Sequence, residues 1–368
     1  MKGVKLVGKV LLWIILVVVV LFLIVLVVVK VKSPGELAPI TNINNQEFLA
    51  GINEKVYCDI NGVTQGMFLR GEDKDKPVLL FLHGGPGSPE LAMGMGQEEK
   101  NARLEQEFVV CYWDQRGAGM SYNSNINVST MTLEQMIEDT KAVTLYLKEH
   151  FGQDKIYILG HSWGSYLGVK TIEKYPEYYH AFIGLGQVTN QTESEKLAYK
   201  YMLKEANRRD DKDAIKELEK VDVNVADFPS TKYIQGTRSN LMNKYGIGVM
   251  HKDFWMLSII IDIFTFEGYK MGEKLGYMQG MLFSQDNLFH YVTNDNLLET
   301  SKDFEIPVYI FQGDYDYQVS QVLAKDWYDV IEAPDKQFYA FAESAHSPLW
   351  EEPEKFMEGI REVLERTK

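Results

Sequence analysis

A short apolar segment ending in a glycine-flanked serine constrains the fold of this chain more than any other stretch. Residues 156–165 read IYILGHSWGS: an apolar run, the pattern Gly-x-Ser-x-Gly around Ser162, and then a helical pattern. A strand that turns directly into a helix holds such a serine in a tight, strained turn, and the two glycines leave room for the neighbouring backbones. The pattern alone also occurs by chance in glycine-containing loops, but the flanking strand and helix are the context that the motif requires. We therefore interpret Ser162 as a candidate nucleophile on a nucleophile elbow.

Further apolar runs alternate with helical patterns on both sides of this elbow. Residues 55–60 and 63–69 flank Asn61-Gly62, which is a hairpin signal. Runs typical of buried strands follow at 78–82, 108–113, 181–185, 308–312 and 337–342. Helical patterns cover 132–151, with Thr132 as the cap, then 165–174 and 354–366. This alternation predicts an α/β fold with a mainly parallel, doubly wound sheet and the hairpin as its antiparallel edge.

The alternation stops between Gln187 and about Thr300. Two charged amphipathic helices, 193–209 and 212–221, are followed by an apolar passage rich in methionine and aromatic residues at 249–289. Loops at the carboxyl ends of parallel strands carry ligand sites, so an insertion of this size is expected to form a lid over Ser162. We interpret most of the methionine and aromatic side chains as the core of that lid.

An uninterrupted apolar run occupies the N-terminal region. Val10 to Val29 are 20 uncharged residues, enough at about 1.5 Å per residue to cross a hydrocarbon core of about 30 Å. The predicted organisation is a membrane anchor at 1–32, a tether at 33–54, a first core segment at 55–188, a helical cap at 189–300 and a second core segment at 301–368.

A cleaved signal peptide is the competing interpretation of this run. The run is longer than a typical signal-peptide apolar region, and Lys30-Val31-Lys32-Ser33-Pro34 offers no small-x-small cleavage pattern. A lipoprotein signal is excluded, since no cysteine follows the run directly. Lys2, Lys5 and Lys9, with the amino terminus, slightly outweigh Lys30 and Lys32, which favours a single-pass protein of the cell membrane with an extracytoplasmic catalytic domain.

Charge and cysteine content exclude two further classes. All 52 acidic residues lie after position 32 together with 33 basic ones, which leaves that region with a formal charge of −19. Such a surface repels phosphate backbones, so nucleic acid is not an expected partner. Cys58 and Cys111 are the two cysteines, and they cannot form a disulfide framework. We expect both to be small buried side chains on strands that are not neighbours.

A serine hydroxyl needs a base and an orienting carboxylate to act as a nucleophile at neutral pH. In hydrolases with this elbow the chain order is serine, acid, histidine. The strand ends supply Asp316, with Asp314 as its alternative, and His346, which follows the last strand. His83 and His161 flank glycines and are expected to shape their turns. No metal-ligand spacing occurs, and the chemistry calls for no cofactor.

Three motifs together resemble the proline iminopeptidase family of α/β-hydrolases over roughly residue 55 to the C-terminus. They are HGGPG at 83–87, DQRGxGxS at 114–121 and GxSWGS at 160–165. The resemblance implies the α/β-hydrolase fold with a helical cap, and an oxyanion hole formed by the backbone N–H groups of Gly84 and Trp163.

The resemblance also implies a substrate: a small peptide whose free amine is held by glutamates of the lid. The candidates are Glu193, Glu195, Glu205, Glu267 and Glu273. The expected function is that of a membrane-anchored serine hydrolase that releases N-terminal proline or another small apolar residue through an acyl-serine intermediate. An esterase, lipase-like enzyme or lactonase with the same triad is the alternative, and a binding protein without catalysis is a third possibility. Oligomeric state is not predicted.

Overall fold

The computed structural model describes residues 2–41, 46–94, 103–226, 228–230, 232–252 and 256–368. Parts of the predicted tether (42–45) and of the predicted cap (227, 231 and 253–255) lie outside the described residues. The strands are β1 (Ile52–Ile60), β2 (Val63–Gly71), β3 (Val78–Leu82), β4 (Val109–Trp113), β5 (Ile156–His161), β6 (Tyr179–Leu185), β7 (Val308–Gly313) and β8 (Lys336–Phe341).

The helices begin with α1 (Lys2–Val31), α2 (Leu133–Phe151) and α3 (Trp163–Lys174). Between β6 and β7 lie α4 (Gln191–Arg208), α5 (Lys212–Leu218), a π-helical turn (Tyr233–Arg238), α6 (Ser239–Lys244), α7 (Met256–Thr265), α8 (Met271–Thr293) and α9 (Leu297–Thr300). After β7 come α10 (Gln321–Val330), α11 (Pro348–Glu351) and α12 (Pro353–Arg366).

Eight strands form one sheet in the order β1-β2-β4-β3-β5-β6-β7-β8. The pairs β1–β2 and β2–β4 are antiparallel and all the others are parallel. This arrangement confirms the predicted doubly wound sheet with its hairpin edge. The hairpin turns at Asn61 and Gly62, whose positive φ angles of 48° and 78° match the asparagine-glycine signal.

Alternate residues of the central strands point to opposite faces of the sheet, and each face has its own apolar cluster. Leu80 of β3 and Ile158 of β5 belong to the cluster that includes side chains of α2, α3 and α10. Leu79 and Leu159 belong to the cluster that includes side chains of α12. Because both faces are covered, these strands are continuously apolar, as expected for a buried parallel sheet.

The predicted helix boundaries hold to within a few residues. Thr132 caps α2 by accepting a hydrogen bond from the backbone N–H of Gln135. Helix α3 begins at Trp163 rather than at the predicted residue 165, because Ser162 itself stands at its N-cap position. This earlier start places the backbone N–H of Trp163 in the first turn, where it has no intrahelical partner.

The two cysteines are free and lie on β1 and β4, with β2 between them. Cys111 is buried as predicted. The prediction that Cys58 is also buried was wrong, since it lies on the edge strand of the sheet and is half-buried.

The helical insertion between β6 and β7 has two kinds of packing. Helices α4 to α6 share an apolar cluster of their own, which includes Met202, Leu218 and Met242. The apolar passage from 249 to 289 contains α7 and α8, whose Ile263 and Tyr277 join the cluster on one face of the sheet. Much of this passage is therefore packed onto the core of the sheet rather than forming a separate lid core.

Helix α1 extends over 30 residues, and its described apolar side chains are exposed except for Val29, which is buried. Among the described residues it is the one helix long and apolar enough to cross a membrane, from Lys9 to Val31 with a mean hydropathy of 3.8.

Candidate active site

Ser162 lies at the junction of β5 and α3 in a strained backbone conformation, with φ 54° and ψ −120°. Close approach of three segments explains the two glycines of the motif. A Cβ at Gly160 would lie 2.1 Å from the carbonyl oxygen of Gly164, and one at Gly164 would lie 2.0 Å from that of Leu82. Side chains at either position would force the strand and helix apart. The predicted nucleophile elbow is therefore present in its backbone geometry.

His346 and Asp316 meet at the carboxyl end of the sheet. His346 Nδ1 donates to Asp316 Oδ2 at 2.8 Å, and both side chains are buried. Asp316 also accepts from Gln312 Nε2 and from the backbone N–H groups of Gln318 and Val319 at 2.8 to 3.1 Å. The carboxylate is thus fixed in place by four donors, and Nε2 of His346 is the ring nitrogen left for a reacting hydroxyl.

The alternative acid, Asp314, is exposed on the turn after β7 and makes no contact with His346. Of the two candidates, Asp316 alone is brought to the histidine. No hydrogen bond joins Ser162 Oγ to His346 among the described residues, a contact that often tightens in complexes with substrate. The two residues are adjacent through His161, whose ring lies 4.8 Å from that of His346, centroid to centroid.

The predicted oxyanion donor in the first glycine motif needs a correction. The N–H of Gly84 donates to the buried carboxylate of Glu90, with 2.8 Å between N and Oε1, and is not available to a substrate. The N–H of Gly85 has no acceptor among the described residues, and Gly85 lines the cavity beside Ser162 and Trp163. We therefore replace Gly84 by Gly85 as the proposed partner of the Trp163 N–H.

His161 has a larger role than shaping its turn. Its Nδ1 lies 2.8 Å from Glu90 Oε1, and its Nε2 lies 2.9 Å from the backbone oxygen of His346. Burial lowers the pKa of His161, but the hydrogen bond and charge of Glu90 outweigh burial and raise it overall. The backbone oxygen accepts from Nε2, and a carboxylate at Glu90 accepts from Nδ1, so this pair of contacts matches the imidazolium form that the raised pKa favours. Glu90 was not predicted from the sequence, where its only signal is its place shortly after the glycine motif.

The DQRG segment holds the neighbouring turns together. Gln115 Nε2 donates to the backbone oxygen of His83, and Gln115 Oε1 accepts from the indole N–H of Trp163, each at 3.0 Å. His83 accepts from the backbone N–H of Gln115 at 3.1 Å, and burial lowers its pKa, which keeps it neutral. Arg116 forms a fully buried ion pair with Asp139, with 2.6 Å between Nε and Oδ2. These residues position the site without entering it.

Asp114 gives a testable pH dependence of stability. Burial raises its pKa to about 7, although its hydrogen bonds from Tyr269 Oη and the Met120 N–H oppose the rise. An unfolded aspartate has a pKa of about 3.9, so between about pH 4 and 7 the folded state keeps a proton that the unfolded chain has lost. Asp114 therefore stabilises the fold most at low pH, and this contribution is lost as pH rises through about 7.

The expected result is that the free energy of unfolding of Asp114→Asn falls less steeply between about pH 4 and 7 than that of the wild type, by a total of at most about 4 kcal/mol. Asparagine keeps an acceptor for both hydrogen bonds and removes the titration. Denaturant unfolding at a series of pH values measures the slopes. Identical slopes in the two proteins would show that Asp114 does not titrate in this window.

A cavity of about 100 Å³ adjoins Ser162 under the inserted helices. Its described lining consists of Gly85, Ser162, Trp163, Val188, Gln191, Ile234, Arg238, Gln285, Phe289, Val292, Gln318 and Val319. Seven of these twelve residues lie between β6 and β7, so the insertion contributes much of the wall beside Ser162. The methionines of the 249–289 passage are absent from this described lining.

None of the five predicted glutamates is among the described residues that line this cavity. Four of them form ion pairs elsewhere: Glu193 with Lys196, Glu205 with Arg208 and Arg209, Glu267 with Lys32, and Glu273 with Lys55. The structure does not bring these four to the cavity lining, and amine binding by lid glutamates stays a prediction.

Glu195 lies directly behind the cavity wall. It is fully buried and accepts from Arg238 Nε at 2.8 and 2.9 Å and from Gln191 Nε2 at 2.8 Å. Arg238 and Gln191 themselves line the cavity. Neither was identified from the sequence, because no local pattern relates Arg238 to a carboxylate 43 residues away.

Comparisons with known proteins agree with this geometry. A family model described as alpha/beta hydrolase fold matches residues 77–353. The probable aminopeptidase YbaC of Bacillus subtilis (strain 168) is 30% identical over 302 residues, which cover 81% of this chain and 92% of that protein. A proline iminopeptidase of Lactobacillus delbrueckii subsp. lactis is 26% identical over 334 residues, covering 87% and 97%.

Among solved structures, the proline iminopeptidase of Mycobacterium smegmatis superimposes with a TM-score of 0.59 at 14% identity, covering 85% of this chain and 98% of that one. The likeness shows a shared fold, and the resemblance inferred from the three motifs is confirmed by the curated relatives. The chain is a hydrolase and belongs to the alpha/beta hydrolase fold family.

Proposed function

We propose that this protein is a membrane-anchored serine hydrolase that acts as an aminopeptidase and releases N-terminal proline or another small apolar residue. The observation that carries the proposal is the strained turn at Ser162 next to the His346–Asp316 hydrogen bond of 2.8 Å. The names of the curated relatives, aminopeptidase and proline iminopeptidase, support the substrate class.

In the proposed mechanism, Ser162 Oγ forms a bond to the scissile carbonyl carbon as its proton passes to His346 Nε2. Asp316 holds the ring and stabilises the imidazolium. The backbone N–H groups of Trp163 and Gly85 donate to the oxygen that becomes negatively charged. The carbon–nitrogen bond then breaks and the leaving amine takes the proton from His346. Water activated by the same histidine hydrolyses the acyl-serine and restores Ser162.

The size and lining of the cavity support a small first residue. A cavity of about 150 Å³ holds a benzene molecule, and the space beside Ser162 is about 100 Å³. Apolar side chains of Val188, Ile234, Phe289 and Val319 contribute to its wall. Such a space suits an alanine side chain or a proline ring and excludes a large aromatic one.

Recognition of a free amine is the part of this proposal with the most direct test. An ammonium group buried next to Ser162 needs a nearby negative charge, and Glu195, which accepts from the lining residues Gln191 and Arg238, is a carboxylate directly behind the lining and outside the proposed triad. Acetylating the amine of an aminoacyl arylamide is therefore expected to lower kcat/KM by more than about 30-fold, or about 2 kcal/mol. Steady-state kinetics on free and acetylated pairs, with prolyl and alanyl substrates, measures this ratio.

Two variants test whether Glu195 is responsible for the ratio of kcat/KM between free and acetylated substrates. Glu195→Gln alone leaves Arg238 without its partner, so it is compared with Glu195→Gln/Arg238→Gln, which removes both charges. Loss of discrimination in both variants supports the assignment. Equal or faster hydrolysis of acetylated substrates by the wild type would contradict the aminopeptidase proposal.

An esterase, lipase-like enzyme or lactonase is the second candidate, and one observation favours it. The described cavity lining includes Arg238 and no aspartate or glutamate, which suits a neutral or anionic acyl group better than an ammonium. Short acyl esters in the same kinetic panel separate the two functions, since they carry the scissile carbonyl without an amine.

The anchor proposal rests on α1 and places the protein in the cell membrane as a single-pass protein. The distribution of lysines around the apolar run supports an extracytoplasmic catalytic domain. No cofactor or metal has a part in the proposed reaction, and the proposed partners are the bilayer and a small peptide or acyl substrate.

A further inference from the structure

The C-terminal end of the anchor helix is bound to the helical insertion. Lys32 Nζ pairs with the carboxylate of Glu267 at 2.5 Å, and the backbone N–H of Gly35 donates to the backbone oxygen of Glu267 at 3.0 Å. Lys274 Nζ donates both to the backbone oxygen of Lys32 and, at 2.8 Å, to that of Phe264. The segment that follows α7 and the start of α8 are therefore held against the point where α1 ends.

Helix α7 carries an exposed apolar face beside this junction. Leu257, Ile260 and Ile261 are 44%, 38% and 45% exposed, and their spacing places them on one side of the helix. Ile263 lies on the opposite side and is buried against the core of the sheet. The helix thus packs through one face and leaves a second apolar face without cover among the described residues.

The position of α1 relative to a bilayer fixes the level of this face. The apolar run ends at Val29, so Lys30 and Lys32 mark the interface between hydrocarbon and headgroups. Because Phe264 and Glu267 are joined to Lys32 and Gly35 by the contacts above, the C-terminal end of α7 lies at headgroup level. Ten residues of helix span only about 15 Å, which keeps the rest of α7 close to that level.

We propose that α7 is a second membrane contact, with Leu257, Ile260 and Ile261 inserted into the interface of the bilayer that α1 crosses. This inference rests on the proposed membrane anchor and adds a surface to it. Continuity with the anchor selects lipid as the occupant. A short helix with an apolar outer face is also the kind of element that lies at the boundary between headgroups and acyl chains.

The proposed membrane contact of α7 is linked to the candidate active site by packing. Ile263 of α7 shares an apolar cluster with Leu91 and Ala92 of the 3-10 turn Glu90–Met93. Glu90 of that turn accepts from the N–H of Gly84 and contacts His161. The cap therefore meets the bilayer through a helix that packs on the same turn that supports the loop beside Ser162.

The test uses the full-length protein in phosphatidylcholine vesicles with a fluorophore on a single introduced cysteine. Cys58→Ser provides the background, since Cys111 is buried and shielded from the reagent. Labels are placed by Ile261→Cys, by Val322→Cys as a control at an equally apolar and exposed position of α10, and by Val20→Cys as a reference within α1. Labelling of Ser162 by a fluorophosphonate checks that each variant is folded.

Vesicles containing lipid with a quenching doxyl group near the headgroup end of the acyl chain provide the readout for positions 261 and 322, and vesicles with the doxyl group near the far end of the acyl chain provide it for position 20. The label at 261 is expected to be quenched at least about twofold more than the label at 322, because an interfacial helix lies about 5 to 10 Å deep in the boundary region. Quenching at 20 with equal quenching at 261 and 322 would overturn this inference and leave the anchor intact. Absence of quenching at 20 would overturn both. A label at 261 shielded from aqueous quencher but not reached by the lipid quencher would indicate a second protein copy and overturn the lipid contact.

Discussion

Ser162→Ala is expected to lower kcat by about four to six orders of magnitude and to abolish labelling by a fluorophosphonate, with little change in thermal stability. The reason is that the acyl-enzyme route requires the hydroxyl, while the strained turn that holds it is built by Gly160, Gly164 and the flanking strand and helix. His346→Ala is expected to have an effect of similar size, because without it no group accepts the serine proton. Stopped assays over long incubation, together with circular dichroism, measure activity and fold separately.

Asp314 and Asp316, the two aspartates after β7, allow a matched test of which carboxylate orients His346. Asp316→Asn is expected to lower kcat by up to about four orders of magnitude, because the amide no longer stabilises the imidazolium or fixes the tautomer of His346. Asp314→Asn, two positions away and exposed, is expected to change kcat less than about threefold. The reverse order of effects would contradict the assignment of Asp316.

Removal of residues 1–32 is expected to move the protein from the membrane fraction to the soluble fraction. The 23-residue segment Lys9–Val31 has a mean hydropathy of 3.8 and lies outside the folded domain. Burial of such a segment in hydrocarbon does not depend on surface charge, so the full-length protein should resist extraction by salt and by alkaline carbonate. Fractionation followed by immunoblotting measures the distribution of both forms.

A charge-only variant provides the control for this experiment. Replacing Lys2, Lys5 and Lys9 by glutamine keeps the apolar segment and should leave the protein in the membrane fraction. If expression of the full-length chain yielded a mature protein that begins near Ser33, this would show cleavage of a signal peptide and contradict the anchor.

The sequence predicted the fold well because its main signals are local. Continuous apolar runs mark strands that are covered on both faces, as in β3 and β5, and Asn61-Gly62 marks a hairpin by its own backbone preference. The elbow is equally local, since Gly160 and Gly164 are both within the stretch that contains Ser162. Strand-end order pointed to Asp316 and His346, which the structure brings into contact, and their catalytic roles stay a prediction.

Predictions from the sequence failed where a contact between residues distant in the chain determines which residue is available at the site. Gly84 and Gly85 are adjacent glycines that the sequence does not distinguish as oxyanion donors. The structure distinguishes them, because the N–H of Gly84 donates to the carboxylate of Glu90. The lid glutamates were equivalent in sequence, and their ion pairs with residues such as Lys32 and Lys55 depend on tertiary packing. Burial of Cys58 was wrong although the hairpin was predicted as the edge of the sheet, because an edge strand leaves its side chains partly exposed.

The second ring proton of His161 helps to hold together the turns that form the candidate active site. One ring nitrogen donates to Glu90, which also receives the N–H of Gly84, and the other donates to the backbone oxygen of His346. A neutral imidazole carries one N–H and is able to serve only one of these two acceptors. Deprotonation of His161 would therefore break one of the two contacts that connect the glycine loop to the turn of His346, although every atom of Ser162, His346 and Asp316 stayed chemically unchanged.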